Sequence, residues 1–237
     1  AAGAIDISAV MNTASLLMAN GSGNPVVIIN GVSHPADTFA IVSAKGKPLT
    51  VKELKGKKIA GPRGTVLHQL MVAALKSEGM SAKDVEFVSM GIPAALSAVV
   101  SGNADAALLA ASAVIKAEEA GCKVVTTAKD LVNVNLVVTA SQPFARQFPN
   151  AVKLPVKTQR AALDWINKNW DKAVALAKEH GISLEDAKKL AQWSNYYNTV
   201  TTTDVKGLAL DQDFLVENGM MQKKVDVKSL VWPTAKE

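Results

Sequence analysis

A strand–turn–helix pattern that occurs twice constrains this chain more than any total of its residues. AGAIDISAVMNTAS at residues 2–15 returns as SGNADAALLAASAV at residues 101–114, so that Asp6 matches Asp105 at an offset of 99 residues. Gly3 then matches Gly102, Thr13 matches Ser112 and Ala14 matches Ala113. Each copy runs from Gly-x-x-Asp into a short apolar stretch, then small or hydroxyl residues, then a helical pattern. Each then reaches a second apolar run, NPVVIIN in the first and GCKVVTT in the second. Chance similarity among Ala- and Val-rich segments is the bland alternative. The sharper reading is two lobes built on one plan.

The rest of the chain follows the same alternation, which is the signature of an α/β fold with mainly parallel sheets. Strands are expected at IDISAV, VVIIN, FAIVSA, KKIAG, VEFVSM, DAALL, KVVTT and NLVVTA, with helices at 66–79, 92–101 and 113–120. After about residue 155, QRAALDWINKNWDKAVALAKEHG reads as one long amphipathic helix ending at Gly181. SLED then starts another, with Ser183 as its cap and Asp186 three residues on. A further helix around 203–217 and an extended VDVKSLVWPT close the chain. Two β-rich stretches, TFAIVSAKGKPLT and VNLVVTASQPF, read as antiparallel crossings side by side between the lobes. The expected layout is lobe 1 at 1–44 and 134–237, carrying the helical C-terminal part, and lobe 2 at 48–130. The hinge crossings fall at 39–47 and 131–140.

Composition narrows the chemistry. The 237 residues are long enough to bury a core. No apolar run approaches the length of about 18 residues that crosses a bilayer. The 26 Lys and Arg against 21 Asp and Glu give a net charge of +5. The lysines are spread out, and the densest group, KELKGKK, lacks aromatic neighbours, which argues against a nucleic-acid partner. That group reads as a solvated strand edge that discourages unwanted pairing. The single Cys122 allows no internal disulfide and no CxxC metal site, and it reads as structural. His34, His68 and His180 are scattered without metal-ligand spacing, and no GxSxG elbow is present. These features point away from an enzyme and imply no cofactor. Asp6 and Asp105 read as turn or capping residues.

The most informative local motif is KKIAGPRGTVLHQLMVAALKSEG. A strand ends at Gly61, a turn carries Arg63, Gly64 and Thr65, and a helix begins near Val66. Gly64 allows close backbone approach, and Thr65 is placed to cap the helix while offering its hydroxyl. The N–H groups and positive dipole end of such a helix favour an anion. The spacing is neither a Walker A loop nor GxGxxG, and an ordinary capped turn remains the plain alternative. Asn12, Thr13 and Ala14 in the first copy and Ser112 in the second occupy equivalent strand-end positions, as does Gly91 in MGIPAAL. Ligands of open α/β sheets bind outside such carboxyl ends. His68, one turn into its helix, is the histidine to watch. For Trp193 and Tyr196 core packing is the default role and a cleft wall the alternative.

LKGKKIAGPRGTVLHQLMVAAL, then PAALSAVVSGNADAAL, then VDVKSLVWPT, resembles the solute-binding proteins of ABC importers for alkanesulfonates, taurine and nitrate. The resemblance covers essentially the whole chain in order. It implies a two-lobed periplasmic-binding-protein-like fold of type II, with parallel-sheet lobes joined by two crossing strands. It also implies ligand contacts at Gly64, Thr65 and the Val66 amide, with Asn12, Thr13 and Ala14 opposite. The implied ligand is a small organic or inorganic oxyanion, alkanesulfonate- or taurine-like first, nitrate or bicarbonate next. The implied partner is an inner-membrane permease, and the implied location is extracytoplasmic, periplasmic or as a cell-surface lipoprotein. Where family members carry Trp-x-Pro or acidic-Pro, this chain has Ala110-Ala111-Ser112-Ala113, which removes bulk and charge from one wall. Such proteins begin with a further β-α-β-α segment, so the chain is expected to be N-terminally incomplete. Two alternatives share the two-lobed plan: a binder of a pyrimidine or thiamine precursor, and the effector-sensing domain of a transcriptional regulator.

Overall fold

The computed structural model describes residues 5–179 and 181–236; Gly3 of the repeated pattern and His180 lie outside the described residues. In chain order the strands are β1 (Ile7–Asn12), β2 (Val26–Ser33), β3 (Phe39–Ser43), β4 (Lys58–Gly61), β5 (Glu86–Ser89), β6 (Ala106–Ala110), β7 (Lys123–Thr127) and β8 (Leu136–Ser141). The helices are α1 (Thr13–Gly21), α2 (Val66–Ser77), α3 (Ile92–Val100), α4 (Ser112–Glu119), α5 (Gln142–Gln147), α6 (Pro149–Lys168), α7 (Trp170–Glu179), α8 (Leu184–Ser194) and α9 (Thr202–Glu217). The chain divides into two compact units. Unit 1 comprises Ala1–His34, Val134–Lys188 and Ser194–Glu237; unit 2 comprises Pro35–Asn133 and Lys189–Trp193.

Unit 1 is built on a three-stranded sheet in the order β1-β8-β2. Its inward positions alternate as strand geometry requires. Val27, Ile29, Val138 and Ala140 face Ala145 of α5 and Val152 and Val156 of α6, all buried. Leu16 and Leu17 of α1 are fully buried as well. Unit 2 is built on five strands in the order β5-β4-β6-β3-β7. Ala40, Val42, Ala60, Ala107 and Leu109 pack there with Ala95 and Val99 of α3 and Val114 and Ala117 of α4. Ile41 and Leu108, the alternate residues of β3 and β6, are also fully buried. Every residue of α2 from Val66 to Leu75 is buried, the polar His68 and Gln69 included.

The duplicated sequence pattern maps onto a duplicated topology. β1–α1–β2 and β6–α4–β7 are each a crossover joining two strands of the same direction, and in each a single antiparallel strand lies between the two. That strand is β8 in the first unit and β3 in the second. The expectation of parallel-sheet lobes is therefore corrected for unit 1, whose ladders are all antiparallel, and holds in unit 2 for β5-β4-β6. The alternation of strand and helix reveals the crossovers, but it carries no trace of a strand inserted from about a hundred residues away.

Four other expectations change. β3 and β8 lie in different sheets, so they are not a side-by-side hinge pair, and residues 39–44 belong with unit 2. The long helix expected to end at Gly181 is two helices, α6 and α7. At their junction Asn169 leaves helical geometry (φ −131°, ψ 42°) while its side-chain amide donates to Trp165 O at 3.0 Å. Such local side-chain bonds compete with the helical ladder. VDVKSLVWPT is mostly two 3₁₀ turns, Val227–Leu230 and Pro233–Ala235, with one parallel bridge from Val231 to Ile28. Finally, KELKGKK leads into β4, which is paired on both sides, so its lysines do not guard a sheet edge. Ser183 does cap α8, accepting from the Asp186 N–H at 3.0 Å.

Candidate functional site

Parallel neighbours β5, β4 and β6 end at one edge of the unit 2 sheet, and α3, α2 and α4 begin there. This topology brings Arg63, Gly64, Thr65, Val66, His68, Gly91 and Ser112 to a single edge. The first two turns are tied together, because the Met90 N–H donates to Gly61 O at 2.9 Å. Gly64 has φ +72°, a left-handed conformation that glycine adopts without strain, and it turns the chain into α2.

The α2 entrance is cationic and contains no acid. No acidic residue occupies its first turn, so no carboxylate there offsets the positive end of the helix. The Arg63 guanidinium lies 4.9 Å from the centroid of the Phe87 ring, and His68 stacks on the same ring at 4.9 Å, nearly parallel at 7°. His68 Nδ1 faces the Gly64 N–H at 3.5 Å as an acceptor, which requires that nitrogen to be unprotonated. Burial, with the Arg63 charge adding to it, pushes the His68 pKa down to about 4, so the imidazole is neutral at pH 7. Thr65 departs from its expected role. It is the cap residue by backbone geometry, but its side chain makes no capping bond; the hydroxyl donates back to Pro62 O at 3.0 Å.

The α4 entrance is strained where the equivalent α1 entrance is not. Ala111 sits at φ +52°, ψ −126°, a region that a residue with a Cβ rarely adopts, and its N–H donates to Thr38 O at 2.8 Å. Ser112 is half-buried just beyond it. Gly91 is exposed at the α3 entrance, but Pro93 in that first turn removes one backbone donor.

In unit 1, β1 and β2 end at the edge where β8 begins, since Asn12 and Ser33 both register with Leu136. Asn12 caps α1, its Oδ1 accepting from the Ser15 N–H at 2.9 Å. The Thr13 N–H donates to Asn135 O at 3.0 Å, and Thr13 and Ala14 are buried. Tyr196 bridges Ser33 at the same edge and is 45% exposed. Trp193 lies apart from both groups. It lines a 400 Å³ depression in unit 2 with Asp37, Val114, Glu118, Val124, Thr127 and Lys189, along the flank of α4 and not at its start.

Sequence reasoning missed a polar cluster at the unit 1 edge. Tyr197, not Tyr196, donates its hydroxyl to Asn135 Oδ1 at 2.9 Å and stacks on His34 with ring centroids 4.0 Å apart. His34 Nε2 is 3.7 Å from Asp204 Oδ1. Burial lowers the His34 pKa against the opposing pull of Asp204, while burial and the same carboxylate raise that of Tyr197. The available signal was Gly31, an isolated glycine within a strand. A Cβ there would meet the Tyr197 ring at 2.4 Å.

Asp105 Oδ2 accepts from the Lys58 N–H at 3.0 Å, a structural bond between β4 and β6. Cys122 is buried, which raises its thiol pKa. Among the described residues no group of His, Cys, Asp and Glu is arranged to hold a metal ion, and no helix is long and apolar enough to cross a membrane.

Comparison with known proteins identifies the family and the fold. The family model described as NMT1/THI5 like matches residues 1–173. The chain belongs to the NMT1/THI5-like family. A putative aliphatic sulfonates-binding protein of Escherichia coli K12 is 26% identical over 234 residues, covering 93% of this chain and 71% of that protein. The taurine-binding periplasmic protein of the same organism is 30% identical over 209 residues, covering 83% of this chain and 62% of that protein. Among solved structures, the alkanesulfonate-binding protein of Xanthomonas axonopodis pv. citri bound to MOPS shares the fold. Its TM-score is 0.86 at 19% identity, over 97% of this chain and 81% of that one. The α/β fold is thus that of periplasmic solute-binding proteins.

Proposed function

We propose that this chain is the substrate-binding component of an ABC importer. It captures a small oxyanion, an alkanesulfonate or taurine first and nitrate or bicarbonate next, and delivers it to an inner-membrane permease. The observation that carries the reading is the acid-free α2 entrance, where the Arg63 guanidinium and a neutral His68 both lie against the Phe87 ring next to the Gly64 turn and the start of the helix. A sulfonate presents three acceptor oxygens and one charge, which such donors match without a proton transfer. In α1, the Thr13 and Ser15 amides are engaged by Asn135 O and Asn12 Oδ1, so Ala14 supplies the donor of that turn. We assign a further ligand contact to that first turn of α1. The named activities of the sulfonate- and taurine-binding relatives support this ligand class. The periplasmic location of the taurine-binding relative supports action outside the cytoplasmic membrane.

The test is titration calorimetry of the chain with ethanesulfonate, taurine, nitrate, bicarbonate and a pyrimidine. Saturable binding of a sulfonate, weakened at least tenfold in Arg63→Ala with the melting temperature unchanged, is the expected result. Binding of the pyrimidine alone would transfer the function to the pyrimidine and thiamine-precursor reading. Sulfonate binding that ignores Arg63→Ala would remove the α2 entrance from the site.

A further inference from the structure

The chain leaves unit 1 after His34, returns at Val134, and returns again at Ser194 after the short excursion through Lys189–Trp193. The unit 1 ends of these three connections are fastened to one another. The His34 N–H donates to Asn195 O at 3.1 Å, the Tyr197 N–H to Val32 O at 3.0 Å, and the Gly31 N–H to Asn198 O at 2.9 Å. Across these main-chain bonds lies one chain of side-chain contacts. The Tyr197 ring lies close against Gly31 and stacks on His34, and its hydroxyl donates to Asn135 Oδ1 at 2.9 Å. The amide of Asn135 faces Asp204 Oδ1 at 3.5 Å, and its main-chain oxygen takes the Thr13 N–H at 3.0 Å.

Asn135 is therefore held on one side by Tyr197 and itself holds the first residue of α1. We propose that Tyr197 is a positioning residue, acting through Asn135 to fix the first turn of α1 where unit 1 meets ligand. This rests on the oxyanion-binding reading above. The neighbouring Tyr196 has an exposed ring, whereas Tyr197 is half-buried within the cluster and occupies a place that a side chain at position 31 would deny it. The arrangement also explains why the strand keeps a glycine there.

The proposal predicts two separable effects of Tyr197→Phe, which keeps the ring and removes the hydroxyl. Amide hydrogen exchange in the ligand-free chain should quicken at least tenfold at Thr13 while the β2–β8 ladder amides keep their rates. Ethanesulfonate affinity should fall about tenfold. Asn135→Ala should reproduce both effects, and the double variant should lose no more than the larger single loss, because one linkage is being cut twice. Unchanged Thr13 exchange in both variants would overturn the positioning role, whatever ligand the protein takes. Faster Thr13 exchange with undiminished ethanesulfonate affinity would overturn its link to binding. If the unaltered chain binds no sulfonate, the oxyanion reading falls, and Thr13 exchange still decides whether Tyr197 positions α1.

Discussion

The two crossovers, β1–α1–β2 and β6–α4–β7, agree in strand direction, in helix placement and in the antiparallel strand inserted between their ends, yet they differ at the residue that starts the helix. Asn12 stands there in one copy, in ordinary extended geometry and with its side chain capping α1. At the matching offset the other copy has Ala111, with positive φ and no side-chain cap. The plan is kept while the turn at the strand's end is not. Sheets and buried helix faces answer to packing, whereas a strand-end turn facing solvent is free to answer to a ligand. The self-capped helices elsewhere make the same point from the other side. α8 and α9 begin with Ser183 and Thr201 bonded to Asp186 and Asp204, and acids fill their first turns, so their N-termini are already neutralised. The entrances of α1, α2 and α4 hold no acid.

The largest effects test the shared plan. Leu16 and Ile115 occupy matching positions in α1 and α4, and both are buried. Leu16→Ala and Ile115→Ala should each lower unfolding free energy by about 3 kcal/mol in urea titrations. A loss below about 1 kcal/mol in one of them would show that the two helices do not play equivalent parts in their cores.

A middling effect separates the two units by pH. A histidine whose pKa is lowered on folding binds fewer protons in the folded than in the unfolded state, so stability is complete above the unfolded value near 6.5. It declines as pH falls toward the folded value. For His68 that window runs from about 6.5 to about 4. Allowing for partial screening by solvent, the loss is about 2 kcal/mol across it. His68→Gln should flatten the dependence of urea-unfolding stability on pH in that window. His34→Gln should flatten it less, because Asp204 opposes the burial that lowers the His34 pKa, and no carboxylate does so for His68. Equal flattening by the two would erase this distinction between the units.

The smallest effects probe the divergent turn itself. Asn12→Ala should cost about 1 kcal/mol by loss of the cap. Ala111→Gly should instead stabilise by up to about 1 kcal/mol, since release of strained geometry outweighs the added freedom of the unfolded chain. Opposite signs at corresponding positions, read from melting temperatures, are what the comparison requires.

What could be read from sequence follows the same division. The offset of 99 residues placed β1 on β6 and α1 on α4, because hydrophobic periodicity is a local property recorded wherever a face is buried. The inserted strands are legible as strands, but their place is not, because pairing with a distant partner leaves no mark on either segment's own pattern. The Gly64 turn was legible from its glycine and from the helix behind it. The direction of the Thr65 hydroxyl was not, since Pro62 O and the helix amides compete for it and only the folded turn decides. The difference between Tyr196 and Tyr197 is not legible in sequence, because it depends on which of two adjacent rings the folded strand edge covers.

The inserted strands also set an order of events during synthesis. β1 and β2 are complete by residue 33, but they do not pair with each other; the strand that joins them, β8, ends at Ser141. A ribosome must add more than a hundred residues before the first sheet can close, whereas β3 to β7 lie within one continuous stretch. The second-built unit can thus be the first to fold. Until then β1 and β2 lack β8 as a partner, and in that interval a chaperone can meet the unfolded chain.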